Sequence, residues 1–333
     1  MTQIAIIGAG SWGTALAVVA ARAGHTVRLW SRNRIVVNSI NEQRVNSLYL
    51  NTTAIPASVI ATDNLDYTLQ GASLALLAVP SHAARETLTL MSTKLDEAAI
   101  IVSVTKGIEI ETTKRISEIA KEVVGSSHSF VSLSGPSFAK EVVNGHPTAI
   151  VAASRNSVAA RTVQNDLSFE NLRIYTNADV VGTELGGSVK NVMAIAAGMV
   201  AGLGFGSNSV AALITRGLAE ITRLARREGA QTETLMGLAG LGDLVLTCTG
   251  SLSRNRFVGE ELGKGRSLDE ITANLNEVAE GIKTARAVKK LALRAGLEMP
   301  ITNEVNAVLY EGKSARDAVA ELMSRPLREE SHG

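Results

Sequence analysis

The apolar run IAII (Ile4–Ile7) passes directly into GAGSWG (Gly8–Gly13) and then into the helix-like TALAVVAARAG. A strand, a glycine-rich turn and a helix in immediate succession leave few ways to fold. In that context Gly8 permits the tight turn, Gly10 admits a pyrophosphate close to the backbone, and Gly13 lets the helix pack on the strand. The unsatisfied N–H groups of the helix start then face the phosphates. Three glycines in register are weak evidence alone, because a βα turn without a ligand uses the same residues. The flanking strand and helix turn the motif into an expectation of dinucleotide binding.

The first half of the chain continues in the same pattern. Short apolar runs occur at Ile4–Ile7, Val27–Trp30, Leu74–Val79, Ile100–Val104, Phe130–Leu133 and Thr148–Ala152, with helical stretches such as Thr14–Ala23 and Thr112–Val123 between them. Near-continuous apolar strands alternating with helices predict a parallel sheet covered on both faces. From about Val181 the strands stop. SVAALITRGLAEITRLARREG places Ala212, Leu213, Leu218, Ile221 and Leu224 along one helical face and ends at Gly229. Ser267 with Glu270, and Ser314 with Asp317, are capping boxes that open two further helices. Gly296 and Pro300 close another and follow it. The expected fold class is α/β: an N-terminal Rossmann-type doubly wound sheet over residues 1–183, followed by an all-helical C-terminal domain over 184–333, joined by a rigid junction.

Charge excludes several partners. The 33 Lys and Arg residues nearly balance 32 Asp and Glu, so no large field recruits nucleic acid or an anionic membrane. One cysteine, Cys248, rules out an intramolecular disulfide framework and fits a reducing compartment; it reads as a small buried residue, since nothing near it supplies a base. MTQIAII begins a strand at once and leaves no room for a signal peptide, and VMAIAAGMVAGLGFG falls short of the roughly 20 residues of a bilayer span. The expectation is a cytoplasmic protein with no membrane span, that stretch being a buried helix packed through Ala and Gly.

The second strand refines the ligand. NAD-specific folds usually end it with Asp or Glu, whereas here VRLWSRN offers Ser31 and Arg32. Arg32 can bind a ribose 2′-phosphate that a carboxylate would repel, so NADP(H) is expected over NAD(H), with NAD(H) also accepted. Arg34 either assists or is a solvated surface arginine. The five histidines show no metal-ligand spacing, and His82 reads as a loop residue. Lys106 in VSVTKGIE follows a strand's carboxyl end, where ligands of open α/β sheets bind. Lys190 begins an otherwise small and apolar helix, in surroundings that lower an ammonium pKa. Asp243 is a lone acid in GLAGLGDLVLTC and needs a partner, for which Lys190 is one candidate. SLSRNR (Ser251–Arg256) presents hydroxyl, guanidinium and amide donors suited to a phosphate, or else is a capped helix start.

Taken together, IGAGSWGTALA, TKGIE, LSGPSFAKEV, LGGSVKNVMAIAAG, ITRGLAE, GLAGLGDLVLTCTGSLSRNR, VAEG and EMPI resemble the bacterial NAD(P)-dependent glycerol-3-phosphate dehydrogenases over almost the whole chain. The resemblance implies a homodimer that interconverts dihydroxyacetone phosphate and sn-glycerol 3-phosphate, supplying the glycerol backbone of phospholipids. It places Ser11, Trp12, Arg32, Ala139, Val278 and Glu280 at the cofactor. Gly135, Ser137, Ser253 and Asn255 fall at the substrate, and Lys106 and Arg254 at both. Lys190 matches the family's proton-transfer residue, with Asp243 beside it and at the substrate. Trp12 stands where some relatives carry Tyr or Phe. Two other readings share parts of this pattern. A ketopantoate-reductase-like or hydroxyacid dehydrogenase has the architecture but no need of a phosphate clamp such as SRNR. A catalytically silent NADPH sensor has no need of both Lys190 and Asp243.

Overall fold

A computed structural model describes residues 2–273, 279–327 and 329–330. The first half runs β1 (Gln3–Ile7), α1 (Ser11–Arg22), β2 (Thr26–Trp30), α2 (Arg34–Gln43), β3 (Val59–Thr62), α3 (Leu65–Leu69), β4 (Leu74–Leu77), α4 (Ala84–Ser92), β5 (Ile100–Ser103), α5 (Ile116–Val123), β6 (Phe130–Ser134), α6 (Ala139–Val143), β7 (Thr148–Ala153), α7 (Ser157–Leu167) and β8 (Leu172–Asn177). The strands form one eight-stranded sheet in the order β3-β2-β1-β4-β5-β6-β7-β8. Its first six positions follow the doubly wound order, with the reversal between β1 and β4.

Period-2 alternation explains why these apolar runs are strands. Ile4 and Ile6 of β1, with Leu74 and Leu76 of β4, enter one core together with α1, α2 and α7. Their neighbours Ala5, Ile7, Ala75 and Leu77 enter a second core with α4 and α5 on the opposite face. The sheet is therefore covered on both sides. It is not wholly parallel, because β7 pairs antiparallel with β6. The connecting helix α6 has only five residues, about 7.5 Å of rise, too short to carry the chain back along a strand. The segments β3 and β8, absent from the sequence expectation, are the two outermost strands.

The second half contains α8 (Val180–Gly202), α9 (Ser207–Arg227), α10 (Thr232–Met236), α11 (Asp243–Thr249), α12 (Arg254–Gly263), α13 (Leu268–Ala273), α14 (Glu280–Ala295), α15 (Pro300–Tyr310) and α16 (Ala315–Met323). The chain divides into two compact units, Met1–Thr105 with Ile116–Val180, and Lys106–Arg115 with Val181–Gly333. Residues 106–115, placed by the sequence expectation in the first domain, thus pack with the helices. Thr112–Arg115 is not helical, and Thr113 takes a left-handed φ of 58°.

Helix α8 is the axis of the second unit. It spans 23 residues, longer than its apolar core suggested, so Lys190 stands in its interior and does not begin it as expected; by length and composition the helix is able to cross a bilayer. Instead, residues 182–200 are buried on every side by protein. Its glycines make this packing close: a Cβ on Gly198 would lie 2.0 Å from the Arg256 carbonyl, and one on Gly259 of α12 1.9 Å from the Ile195 carbonyl. In α9, Leu218, Ile221 and Leu224 are buried as expected, whereas Ala212 is exposed. Both capping boxes form, Ser267 Oγ accepting from the Glu270 N–H at 3.3 Å and Ser314 Oγ from the Asp317 N–H at 3.0 Å. Gly296 closes α14 in the left-handed region, and Pro300 opens α15.

Candidate active site

In the first unit the parallel strands β1, β2, β4, β5 and β6 end at one edge of the sheet, and the glycine turn, Arg32 and Gly135 follow strand ends of this unit. Gly8 leaves β1 at φ +117°, and a Cβ on it would stand 2.4 Å from the Ala78 carbonyl at the end of β4. A Cβ on Gly13 would lie 1.9 Å from the Gly8 carbonyl, so α1 starts directly against the turn. Gly10 caps α1 without a side-chain acceptor over its first-turn N–H groups, and a Cβ there would meet nothing within 4 Å. An open turn with N–H donors at a helix start fits a pyrophosphate. Ser11 donates to the Tyr49 carbonyl at 3.3 Å, and Trp12 is half-buried against the sheet core.

At the end of β2, Ser31 is buried and accepts from the Asn33 N–H, while Arg32 is exposed. Arg34 pairs with Asp63 at 2.9 Å, which leaves Arg32 as the candidate for a 2′-phosphate. Gly135 turns the chain after β6 at φ +139°, Ser137 donates to its carbonyl at 3.0 Å, and Ala139 starts α6.

Sequence reasoning missed one support of this turn. Asn46 is fully buried and donates to the Ala9 carbonyl at 2.9 Å and to Thr14 Oγ1 at 2.8 Å. It therefore holds the peptide between Gly8 and Gly10. An Asn more than thirty residues downstream carries no local signal of that contact.

The second unit brings three ionisable candidates together. A π-helical turn over Leu238–Gly242 leads into α11 and places Asp243 at the helix start. Lys190 of α8 donates to Asp243 Oδ1 and, at 2.6 Å, to Thr247 Oγ1. Thr247 in turn donates to the Asp243 carbonyl at 2.6 Å. Lys106 donates to the other carboxylate oxygen, Oδ2, at 2.8 Å. One buried carboxylate thus bridges two lysines; the partner that Asp243 requires is both Lys190 and Lys106. Thr247, one helical turn after Asp243, was not singled out from the sequence, although its i+4 spacing places it on the same face.

Burial pushes the Lys190 pKa down to about 8 from 10.5, with the Asp243 charge opposing that shift and the Lys106 charge reinforcing it. Cys248 is buried, and desolvation pushes its thiol up to about 12, so it stays neutral as a packing residue. The Ser253–Asn255 stretch is the capped start of α12, with Ser253 Oγ accepting from the Arg256 N–H at 3.2 Å. The Asn255 amide is partly committed: it donates to Asn191 Oδ1 at 3.0 Å and accepts from the Gly281 N–H at 2.9 Å. Arg254 is exposed, with Glu280 at the start of α14 as an opposing charge. Val278 lies outside the described residues.

Family models describe this chain in both halves. The N-terminal model of NAD-dependent glycerol-3-phosphate dehydrogenase matches residues 3–160 and the C-terminal model matches 179–320. A glycerol-3-phosphate dehydrogenase [NAD(P)+] of Koribacter versatilis is 55% identical over 330 residues, covering 98% of each chain. One of Citrifermentans bemidjiense is 50% identical, again covering 98% of each. The crystal structure of glycerol-3-phosphate dehydrogenase from Coxiella burnetii superposes with a TM-score of 0.94 at 42% identity, covering 97% of this chain and 99% of that one. With a glycine turn at the sheet reversal and a lysine–carboxylate–lysine cluster among the helices, this chain belongs to the NAD-dependent glycerol-3-phosphate dehydrogenase family.

Proposed function

We propose that the protein interconverts dihydroxyacetone phosphate and sn-glycerol 3-phosphate, with NADP(H) preferred and NAD(H) accepted. The observation that carries this reading is the Lys190–Asp243–Lys106 cluster, in which Asp243 and Lys190 are buried and burial brings the Lys190 pKa down to about 8. When bound, the reduced nicotinamide supplies the hydride that the ketone carbon takes up. Lys190 is cationic at neutral pH, and two of its three N–H bonds go to Asp243 and Thr247. The third is left for the carbonyl oxygen, to which it gives a hydrogen bond and then the proton as alkoxide character develops. In the reverse direction neutral Lys190 takes the alcohol proton. Asp243 and Thr247 fix the direction of the ammonium.

Lys106 polarises the substrate. Arg254, the Ser253 hydroxyl and the remaining Asn255 N–H hold its phosphate, with Gly135 and Ser137 as further contacts. Fixing the remote phosphate aligns the carbonyl, so this grip serves rate as well as affinity. Arg32 takes the cofactor's 2′-phosphate, the first turn of α1 its pyrophosphate, and Ala139 and Glu280 complete its contacts. The family resemblance supports a cytoplasmic homodimer, which sedimentation velocity tests.

The decisive assay follows NADPH absorbance with dihydroxyacetone phosphate, with ketopantoate and with no ketone. Oxidation with the first alone is expected. Lys190→Ala is expected to lower kcat about 10²- to 10⁴-fold, the scale of a positioned acid–base group, with NADPH affinity nearly unchanged. A preserved kcat with only KM raised refutes Lys190 as the proton donor.

A further inference from the structure

The ten residues Lys106–Arg115 belong to the helical unit although their sequence neighbours on both sides belong to the sheet. Contacts with the helices hold them. Ile108 is 1% exposed and lies in the helical core. Arg115 forms an ion pair with Glu184 of α8 at 3.1 Å, with side chains only 11% and 5% exposed. Arg294 of α14 donates to Thr113 Oγ1 at 2.7 Å, and Lys290 to the Ile110 carbonyl at 3.3 Å. The segment also closes on itself, through an antiparallel bridge between Ile108 and Arg115 and a Glu109 N–H bond to the Lys114 carbonyl at 3.0 Å. Two residues beyond this closed loop, at its start, stands Lys106 on Asp243. The acid that receives Arg115 lies on α8, the helix that carries Lys190.

A buried ion pair seldom stabilises a fold more than apolar side chains of similar volume would, and in some proteins its role is instead to fix the placement of what it joins. We propose that Arg115 and Glu184 are a positioning pair that references the Lys106 loop to α8, and so sets where Lys106 stands relative to Asp243 and Lys190. The inference rests on the catalytic reading of Lys190 and Lys106 above. The groups facing Lys190 are Asp243, Lys106 and the neutral Cys248. Lys106 lowers the Lys190 pKa and Asp243 raises it. A displaced Lys106 therefore lets the Lys190 pKa rise, and the alkaline limb of ketone reduction moves to higher pH.

The test compares Glu184→Gln with the double variant Arg115→Met/Glu184→Met, which replaces both charges by apolar bulk so that neither is left buried alone. In the folded double variant, kcat/KM for dihydroxyacetone phosphate is expected to fall about tenfold or more, as misplacement by about 1 Å costs up to about 10²-fold. The alkaline limb is expected to move up, and amide hydrogens of residues 107–114 to exchange faster. Arg115→Lys, which keeps the pair's charges, is expected to retain more of the rate than the double variant. Wild-type kcat/KM and pH profile in a folded double variant overturn the inference and leave a merely structural pair. If that variant does not fold, Glu184→Gln, which keeps the side chain's shape and removes its charge, carries the same test: a lowered kcat/KM with the alkaline limb moved up supports the pair, and an unchanged pH profile and exchange rate overturn it. Failure of Lys190→Ala to lower kcat strikes the catalytic reading instead, so the two failures are distinguishable.

Discussion

Asp243→Asn keeps the shape of the side chain and removes the charge that both lysines share. In the wild type, desolvation lowers the Lys190 pKa and the Asp243 carboxylate resists, leaving it at about 8. At pH 7 about nine-tenths of Lys190 is then protonated and ready to donate. An opposite charge at contact distance is worth about one to three pKa units, so its loss would bring Lys190 to between about 5 and 7. The protonated fraction at pH 7 then falls to between about one-half and one-hundredth, a loss in reduction rate of about 2- to 90-fold from protonation alone. The sign is diagnostic. The alkaline limb for ketone reduction moves to lower pH and part of the lost rate returns below pH 6, whereas glycerol 3-phosphate oxidation, which in the proposed mechanism needs neutral Lys190, keeps activity at lower pH than wild type. Initial rates in both directions across pH 5 to 10, with thermal melts to exclude unfolding, measure this. A loss of equal size at every pH, with the limb unmoved, refutes the electrostatic coupling of Asp243 to Lys190.

Arg254→Ala is expected to lower kcat/KM for dihydroxyacetone phosphate about 10- to 150-fold, from about 1.5–3 kcal/mol for a hydrogen bond to a charged group. The same variant is expected to discriminate much less against unphosphorylated dihydroxyacetone; unchanged discrimination moves the phosphate clamp to other residues. Arg32→Asp is expected to reverse cofactor preference by weakening NADPH about tenfold or more while NADH holds. It is read from kcat/KM at low salt, because exposed Arg32 is screened as ionic strength rises. Equal weakening of both cofactors refutes the selectivity role and leaves dinucleotide binding at the glycines intact.

What could be read in advance follows from where each signal is stored. The inner strands were legible because burial on both faces makes them continuous apolar runs, as in LALL of β4. The outer strands were not: β8 alternates buried Leu172 and Ile174 with exposed Arg173 and Tyr175, and β3 exposes Ile60. The stretch Thr112–Val123 misled in its first four residues, because a loop tied by Arg115 and Thr113 to distant helices has no periodicity of its own.

By itself the sequence determined the glycine turn, the sheet-then-helix order, the caps and the short list of ionisable residues lacking an obvious solvated role. All of these are set by neighbours within a few positions, through backbone sterics, orphan N–H groups and the periodicity of burial. Only the tertiary structure decided that Lys106 and Lys190 share one carboxylate, that Thr247 completes the hold on Lys190, and that Asn46 braces the Ala9 peptide. It also decided that Asn255 is partly committed to joining α8 and α14. These contacts join residues from 26 to 137 positions apart, and their strength comes from exclusion of water. No local pattern records which distant group will be present when the water leaves.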